Sequence, residues 1–390
     1  MSSTYIEMRE GVEQDSFFFC AKNELQLFII YVLPVSRPYN YRHTYAGGRK
    51  MTEHSLWSGI TGEPSRSLWR SGRNIALRAL AEYDLEWNRI ELIGMSDSVT
   101  FRIETEDSGS FLLRIHGERF SREEILSELE WTRYLNQTAG FVVPQGLASS
   151  GGGYILETGS EERQLAWVTV MHWVEGEFVE GNLPDDHIFR MGKMLAGMHE
   201  AGTPFVPSAG FTRPVWGAAS FKLEWSKLEE HHAVMVTEEQ WKLYQAAAAK
   251  IRTDLEAIQP DSSSYGLIHG DLHSGNVVFD QGEPRAIDFG RCGYGYFLYD
   301  MAAALLELSP GQRGSLIQGY SSVRELEPDY ERKLECFFVM IMIGNYSHHI
   351  SNPDEIPGLR EEQPYALAYL REYLQGERFL FRRIEPFVIE

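Results

Sequence analysis

The residues of this 390-residue chain best suited to chemistry are two carboxylates and an amide in close succession. They are Asp271 and Asn276, in His269-Gly270-Asp271-Leu272-His273-Ser274-Gly275-Asn276, and Asp288, in Ile287-Asp288-Phe289-Gly290. Transfer of a phosphoryl group from a nucleoside triphosphate needs such a set: one carboxylate to orient the attacking hydroxyl and take its proton, an amide oxygen and a second carboxylate to hold a divalent cation on the phosphates. Asp271 is therefore the candidate base. Asn276 and Asp288 are the candidate ligands of Mg²⁺, a hard cation that prefers oxygen. His269 and His273 flank the base. With no third ligand at suitable spacing, His269 reads as a brace of the loop through hydrogen bonds; His273 reads as a second brace or as a group facing substrate.

These groups need elements to carry them. Gly266-Leu267-Ile268 is a short apolar strand that delivers the loop, and Gly270 lets the backbone turn there. Val277-Val278-Phe279 is the next strand, and a turn at Asp280-Gln281-Gly282 returns the chain through Ala286-Ile287 to Asp288. Upstream, Ser110–Ile115 reads as a strand entered through an Asp107-Ser108-Gly109 hairpin turn. It carries Arg114 where a cation for the α- and β-phosphates belongs; arginine brings a planar, forked donor set rather than the point charge of lysine. Ser121 and Glu124 make a capping box that opens a helix with a stripe of Ile125, Leu126, Leu129, Thr132 and Leu135. Glu128 on that helix is the expected partner of Arg114, with Glu124 and Glu130 as alternatives. Between strands at Arg89–Ile93 and Thr100–Glu104, the turn Gly94–Val99 has one glycine, and the small Ser96 and Ser98 leave room for backbone amides to cover phosphates. Val168–Gly176 reads as a strand leaving the sheet; in a kinase-like architecture it is the hinge, and the backbone at Met171, His172 and Trp173 is the candidate to pair with adenine.

A short helix is expected at Ile75–Leu85. Beyond Glu175 the pattern turns helical: Pro184 suits a first turn followed by Ile188, Met191, Leu195 and Met198, and Thr237 with Gln240 forms another capping box. The division read from the sequence is an atypical, poorly packed extension over 1–50 with Met51 as a natural start, a strand-rich nucleotide-binding lobe over 51–174, and a helical catalytic and substrate lobe over 175–390.

Composition narrows the partners. With 36 Lys+Arg against 56 Asp+Glu, the formal net charge is -20. That argues against a nucleic-acid surface, which depends on neutralising phosphates, and is compatible with a cationic or amine-bearing substrate. Three cysteines without a Cys-x-x-Cys exclude a disulfide framework and fit a reducing cytoplasm. Cys292 reads as a packing residue. The apolar stretch Ser16–Val35 is broken by Lys22, Asn23, Glu24 and Gln26, so no membrane span or signal peptide is expected. His231-His232 and His348-His349 read as solvated pairs. The sequence carries no signal of oligomeric state.

Asp271-Leu272-x-x-x-Asn276 and Asp288-Phe289-Gly290 match two signatures of protein kinases. Together with His269-Gly270-Asp271, Leu195-Ala196-Gly197-Met198-His199 and Asp300 in Tyr294–Ala302, the chain resembles the aminoglycoside phosphotransferase and choline kinase-like superfamily over about residues 75–380. The resemblance implies an α+β, two-lobed protein-kinase-like fold and a phosphotransferase using ATP, or GTP, with Mg²⁺. It gives Asp271 as catalytic, Asn276 and Asp288 as metal ligands, and Asp300 as a structural brace. No Ala-Pro-Glu follows Gly290, and Arg291–Tyr299 is too short for an activation loop. This favours a small-molecule hydroxyl acceptor: an amino alcohol, an aminoglycoside-like sugar or a homoserine-like amino acid. The alternatives are an atypical Ser/Thr protein kinase and a nucleotide-binding pseudokinase or scaffold. Trp173, Trp216, Trp225, Tyr294 and Tyr346, with Glu175, Glu177, Asp185 or Asp186, are candidates for an amine cage.

Overall fold

Period-two alternation builds an antiparallel sheet from the first half of the chain. The computed structural model describes residues 63–389 except 96, 97, 161, 162 and 180, so the expectations for residues 1–50, Met51 and Ser96 lie outside the described residues. The chain enters through α1 (Glu63–Leu80), then β1 (Trp87–Met95), β2 (Ser98–Thr105), β3 (Ser110–His116), α2 (Arg122–Gln137), β4 (Gly146–Leu147), β5 (Leu156–Ser160) and β6 (Arg163–His172). The sheet order is β1-β2-β3-β6-β4, with β5 also paired to β6. The hairpin turn at Asp107–Gly109 is present: Thr105 N–H donates to Gly109 O at 3.1 Å, with Gly109 at positive φ. Helix α1 begins well before Ile75 and ends at Leu80, a correction to Ile75–Leu85. Its buried Ile75, Ala76, Ala79 and Leu80 pack with Phe101, Ile103, Phe111, Leu113 and Ile115. Alternation then turns Arg102, Leu112 and Arg114 to the opposite face, which borders a cleft.

Helix α2 carries the expected capping box, Glu124 N–H donating to Ser121 Oγ at 3.2 Å and Ser121 N–H to Glu124 Oε2 at 2.9 Å. Ile125 and Leu129 pack with Phe120 and Met171. Trp131 and Leu135 reach the core of the helical half, so one helix is anchored in both.

That half comprises α3 (Asp185–Gly202), α4 (Ala218–His231), α5 (Glu238–Ala257), β7 (Tyr265–Ile268), β8 (Val277–Asp280), β9 (Glu283–Ala286), β10 (Gly293–Tyr296), α6 (Phe297–Leu305), α7 (Pro310–Ser321), α8 (Tyr330–His349) and α9 (Ile356–Gln375). Helix α3 packs on α7, α4 and α6 on α8, and α5 on α9. Phe337, Phe338 and Tyr346 of α8 are fully buried; truncating such an aromatic side chain to alanine costs about 3–5 kcal/mol. Strands β8 and β9 form a hairpin, and β7 pairs antiparallel with β10, Gly293 opposite Ile268. The fold is α+β and protein-kinase-like: an antiparallel sheet with α2 against it, joined to a mostly helical half.

Candidate active site

Sheet and helices meet over a cleft of ≈ 1150 Å³ lined by Arg114, Asp271, Asn276 and Asp288. Ligand sites commonly occupy about 300–1,000 Å³, so this one has room for a nucleotide and an acceptor together.

The loop after β7 is fixed from beneath. Asp300, fully buried on α6, accepts from His269 N–H at 2.7 Å and Gly270 N–H at 2.8 Å, using both carboxylate oxygens. His199 Nε2 lies 3.1 Å from Asp300 Oδ2, and its Nδ1 lies 2.9 Å from Tyr320 Oη. A neutral imidazole donating from Nε2 and accepting at Nδ1 satisfies both contacts. Burial raises the Asp300 carboxyl, but these hydrogen bonds outweigh it and hold the group below the ordinary carboxylate range; burial lowers His199. Gly270 sits at φ +77, where a Cβ would collide with Arg291 O and lie 2.8 Å from Trp216 Nε1, so the bend is closed to larger residues.

Past that bend, Asp271 faces the cleft with its side chain 30% exposed, and Arg291 Nε lies 3.9 Å from its Oδ1. Asn276 Nδ2 donates to Asp271 O at 2.9 Å, leaving the amide oxygen as acceptor. His269 Nε2 lies 3.0 Å from Ile287 O and ties this loop to the strand before Asp288. His273 Nδ1 accepts from Gly275 N–H at 3.1 Å, and Ser274 Oγ bonds Glu307.

Asp288 has φ 60 and ψ 70, a left-handed conformation that a short polar side chain tolerates when it bonds locally. Its Oδ1 accepts from Gly290 N–H at 3.3 Å and lies 3.4 Å from Arg114 Nη2. Arg114 Nη1 donates to Glu128 Oε1 at 2.8 Å, so the guanidinium fork spans from α2 to Asp288. Burial works against the arginine charge, yet Glu128 and Asp288 outweigh it and raise its pKa. Burial likewise raises Asp288, but Arg114 and the Gly290 N–H prevail and hold the half-exposed carboxylate below its ordinary range. Of the three glutamates considered, Glu128 pairs with Arg114; Glu124 serves the capping box and Glu130 accepts from Ser208.

Among the described residues no group of three His, Cys, Asp or Glu is placed to hold a metal alone. An ionised Asp288 carboxylate and the Asn276 amide oxygen on one cleft wall form an all-oxygen partial set. That suits Mg²⁺, which characteristically takes one or two protein ligands and completes its shell with water and substrate phosphates.

Several sequence expectations are redrawn. Ser98, His172 and Trp173 line the cleft, but Met171 does not: it lies opposite Leu112 on the same face of the sheet and is fully buried there under Ile125 and Leu129 of α2. The amine cage does not assemble. Trp225 and Tyr346 are buried in the helical core, Trp216 stacks on Tyr299 and Tyr294 lies in β10. His349 is buried and hydrogen-bonded to Glu355, and His232 stacks on Trp241, so neither pair is simply solvated. Sequence reasoning missed Glu224, on α4 in the cleft wall, and Arg213, a buried cation near Asp288; both lie far along the chain from the motifs, and no local pattern marks them.

Cys292 is buried against Arg213, and burial pushes its thiol up to about 12, as it does Cys336. Iodoacetamide at pH 8 is expected to leave both unmodified in the native protein and to label both in urea, read by peptide mass mapping. Native labelling of either would overturn this.

Asp300 thus seats the loop that carries Asp271 and Asn276, and both face the same cleft as Asp288. A model of the phosphotransferase enzyme family matches residues 86–335, and the chain belongs to that family. It is a phosphotransferase acting on an alcohol group of a small molecule. An uncharacterized protein of Synechocystis sp. is 28% identical over 313 residues, covering 75% of this chain and 82% of that one. The amicoumacin kinase of Bacillus subtilis is 25% identical over 234 residues, 59% of this chain and 66% of that protein. Among solved structures, a microcompartment-associated aminopropanol kinase superposes with TM-score 0.69 at 24% identity, over 79% of this chain and 99% of that one. An amicoumacin kinase in complex with AMP-PNP, Ca²⁺ and Ami gives 0.65 at 20% identity, over 80% and 96%. At these identities the structures share the fold. No helix among the described residues is long and apolar enough to cross a membrane.

Proposed function

We propose that the chain transfers the γ-phosphoryl group of Mg·ATP to a hydroxyl of a small amine-bearing molecule. The observation that carries this reading is the convergence of Asp271, Asn276, Asp288 and the Arg114–Glu128 pair on one cleft with a further carboxylate, Glu224, on its wall. The Mg²⁺, held by Asp288 and Asn276, would neutralise charge on the phosphates during transfer. Arg114 would meet the phosphates, Ser98 would lie at their covering turn, and His172–Val174 would face the base. Asp271 would orient the acceptor hydroxyl and receive its proton. Residues 51–174 would serve the nucleotide and 175–390 the acceptor.

Glu224 gives the acceptor its chemistry. Its carboxylate packs against Gly344, where a Cβ would stand 2.5 Å from Oε2, so any other residue at 344 would displace it. Burial raises its pKa, and Arg291 offsets this only in part. Asn345 Nδ2, beside Gly344, is buried without a hydrogen-bond partner among the described residues. A half-buried carboxylate of this kind favours a cationic donor, and the amide nitrogen favours an acceptor; a protonated amino alcohol offers both. The aminopropanol kinase of similar fold supports the same class.

A panel of amino alcohols, amino sugars and amino acids, with their neutral hydroxyl analogues, tests the reading by Mg²⁺-dependent ADP release. Turnover confined to neutral polyols would refute it. Glu224→Gln is expected to raise KM for the amine acceptor about 10- to 100-fold, the loss of one charge-assisted hydrogen bond, with KM for Mg·ATP unchanged. Ammonium binding needs Glu224 ionised, so wild-type acceptor KM should rise as pH falls through its raised carboxyl pKa, and that rise should vanish in Glu224→Gln.

A further inference from the structure

We propose that Arg213 is a positioning residue that holds Glu128 and Asp288 at the separation the Arg114 fork requires. The proposal rests on the phosphoryl-transfer reading above. Arg213 lies in the segment between α3 and α4, 6% exposed. Its guanidinium donates to four backbone carbonyls: Nε to Cys292 O at 2.6 Å, Nη2 to Gly290 O at 2.7 Å and Phe289 O at 3.2 Å, and Nη1 to Glu124 O at 2.9 Å. Three of those acceptors follow Asp288 directly, and the fourth lies in the first turn of α2, one turn before Glu128.

Neighbouring contacts extend the same bridge. Toward α2, Ser208 N–H and Oγ donate to the Glu130 carboxylate at 2.8 and 2.5 Å, and Thr212 N–H donates to Ser127 Oγ at 2.9 Å. Toward the loop, Tyr294 N–H donates to Pro214 O at 2.8 Å, Trp216 N–H to Tyr294 O at 2.7 Å and Trp216 Nε1 to Arg291 O at 2.9 Å. Residues 208–216 thus strap α2 to the segment 289–294, with Arg213 at the centre. Planar geometry explains the residue type: a fixed fork of five donors reaches four carbonyls on two elements, where an ammonium has three donors and no fixed spread.

The consequence is specific to the nucleotide half of the reaction. Arg114 bonds Glu128 at 2.8 Å and reaches Asp288 at 3.4 Å. If α2 drifts from the Asp288 loop, the fork loses one arm and the metal ligand loses its register. The acceptor wall, built from α4 and α8, is left in place.

The experiment compares Arg213→Lys and Arg213→Met with wild type by Mg·ADP titration calorimetry, by KM for Mg·ATP and for acceptor, and by thermal melting. Both variants are expected to weaken Mg·ADP binding and raise KM for Mg·ATP about tenfold or more, Met beyond Lys, with acceptor KM within twofold. A purely structural role would lower melting temperature and active fraction while leaving both KM values unchanged, and that result overturns the proposal. Should Arg213→Met fail to fold, Arg213→Lys decides alone: wild-type nucleotide affinity in it refutes the positioning role. Absence of Mg·ADP binding by wild type itself would instead sink the underlying reading.

Discussion

Asp271→Ala is expected to lower kcat on the order of 10²-fold or more, the range for removal of a positioned general base, while KM for Mg·ATP stays within about threefold. The asymmetry follows from the geometry. Among the described residues Asp271 bonds neither Arg114 nor Asp288; its side chain meets Arg291 Nε at 3.9 Å and a weak 3.5 Å hydrogen bond from Asn276 Nδ2. The hydrogen bond that orders Asn276 goes to the backbone carbonyl of residue 271, which alanine retains. Leu272, fully buried, anchors the loop from the next position. The side chain therefore comes away without moving the cation ligands. In a loose transition state the carboxylate acts more by aligning the hydroxyl than by basicity, so Asp271→Asn, which keeps shape and one acceptor oxygen, should recover part of the loss. Single-turnover phosphate transfer at saturating acceptor measures this; a kcat within threefold of wild type in Asp271→Ala would remove Asp271 from the mechanism.

The geometry gives a physical reason for an arginine at position 114. A lysine gives one charge to be shared. The Arg114 fork sends one arm to Glu128 and the other to Asp288, and burial holds it there. The arginine thus ties α2 to the loop that carries Asp288. Breaking such a buried pair from one side costs about 3–5 kcal/mol, so Glu128 holds the fold of this region as well.

How far the sequence revealed this arrangement depended on the range of the contacts. Capping boxes at Ser121 and Thr237 and the alternation of β2 and β3 are local patterns, and each stands as read; Asp271 and Asn276, five residues apart, do lie together on the cleft. Strand β10 was hidden because Gly293 and Gly295 carry no strand propensity; pairing with β7 imposes the conformation. Met171 is covered because α2 packs over its part of the sheet, a contact between elements far apart in the chain that strand periodicity does not show. Trp225 and Tyr346 were drawn toward an amine site on chemistry alone, whereas size and apolarity put them in the core. Glu224 and Arg213 are ordinary surface-type residues in sequence; only the packing of α4 on α8 and of the 208–216 strap on α2 gives them a role.

Asp300→Ala is expected to cost the fold about 3–5 kcal/mol, enough to remove much of the stability of a typical domain. The carboxylate is fully buried and accepts the His269 and Gly270 N–H groups. Alanine leaves both buried donors unsatisfied and strips His199 of its acceptor. Asp300→Asn should cost less, since one amide oxygen remains to accept, but its NH₂ must face a donor. The pH dependence separates this from a packing effect. The folded pKa of Asp300 is depressed, so its contribution is fully present above the unfolded value near 3.9 and is lost as pH falls through the folded value. His199 acts in a higher window: its folded pKa is also lowered, so the unfolded chain takes up a proton that the buried ring refuses, and stability declines as pH drops below about 6.5. Urea unfolding should therefore show wild type weakening from pH 7 to 5 through histidine. The gap between wild type and Asp300→Ala should not narrow above about pH 4, since losing Asp300 also lowers His199 further, and should narrow only below it. A gap under about 0.5 kcal/mol at pH 7, or one that closes between pH 7 and 5, would mean that the catalytic loop is seated by packing rather than by this carboxylate.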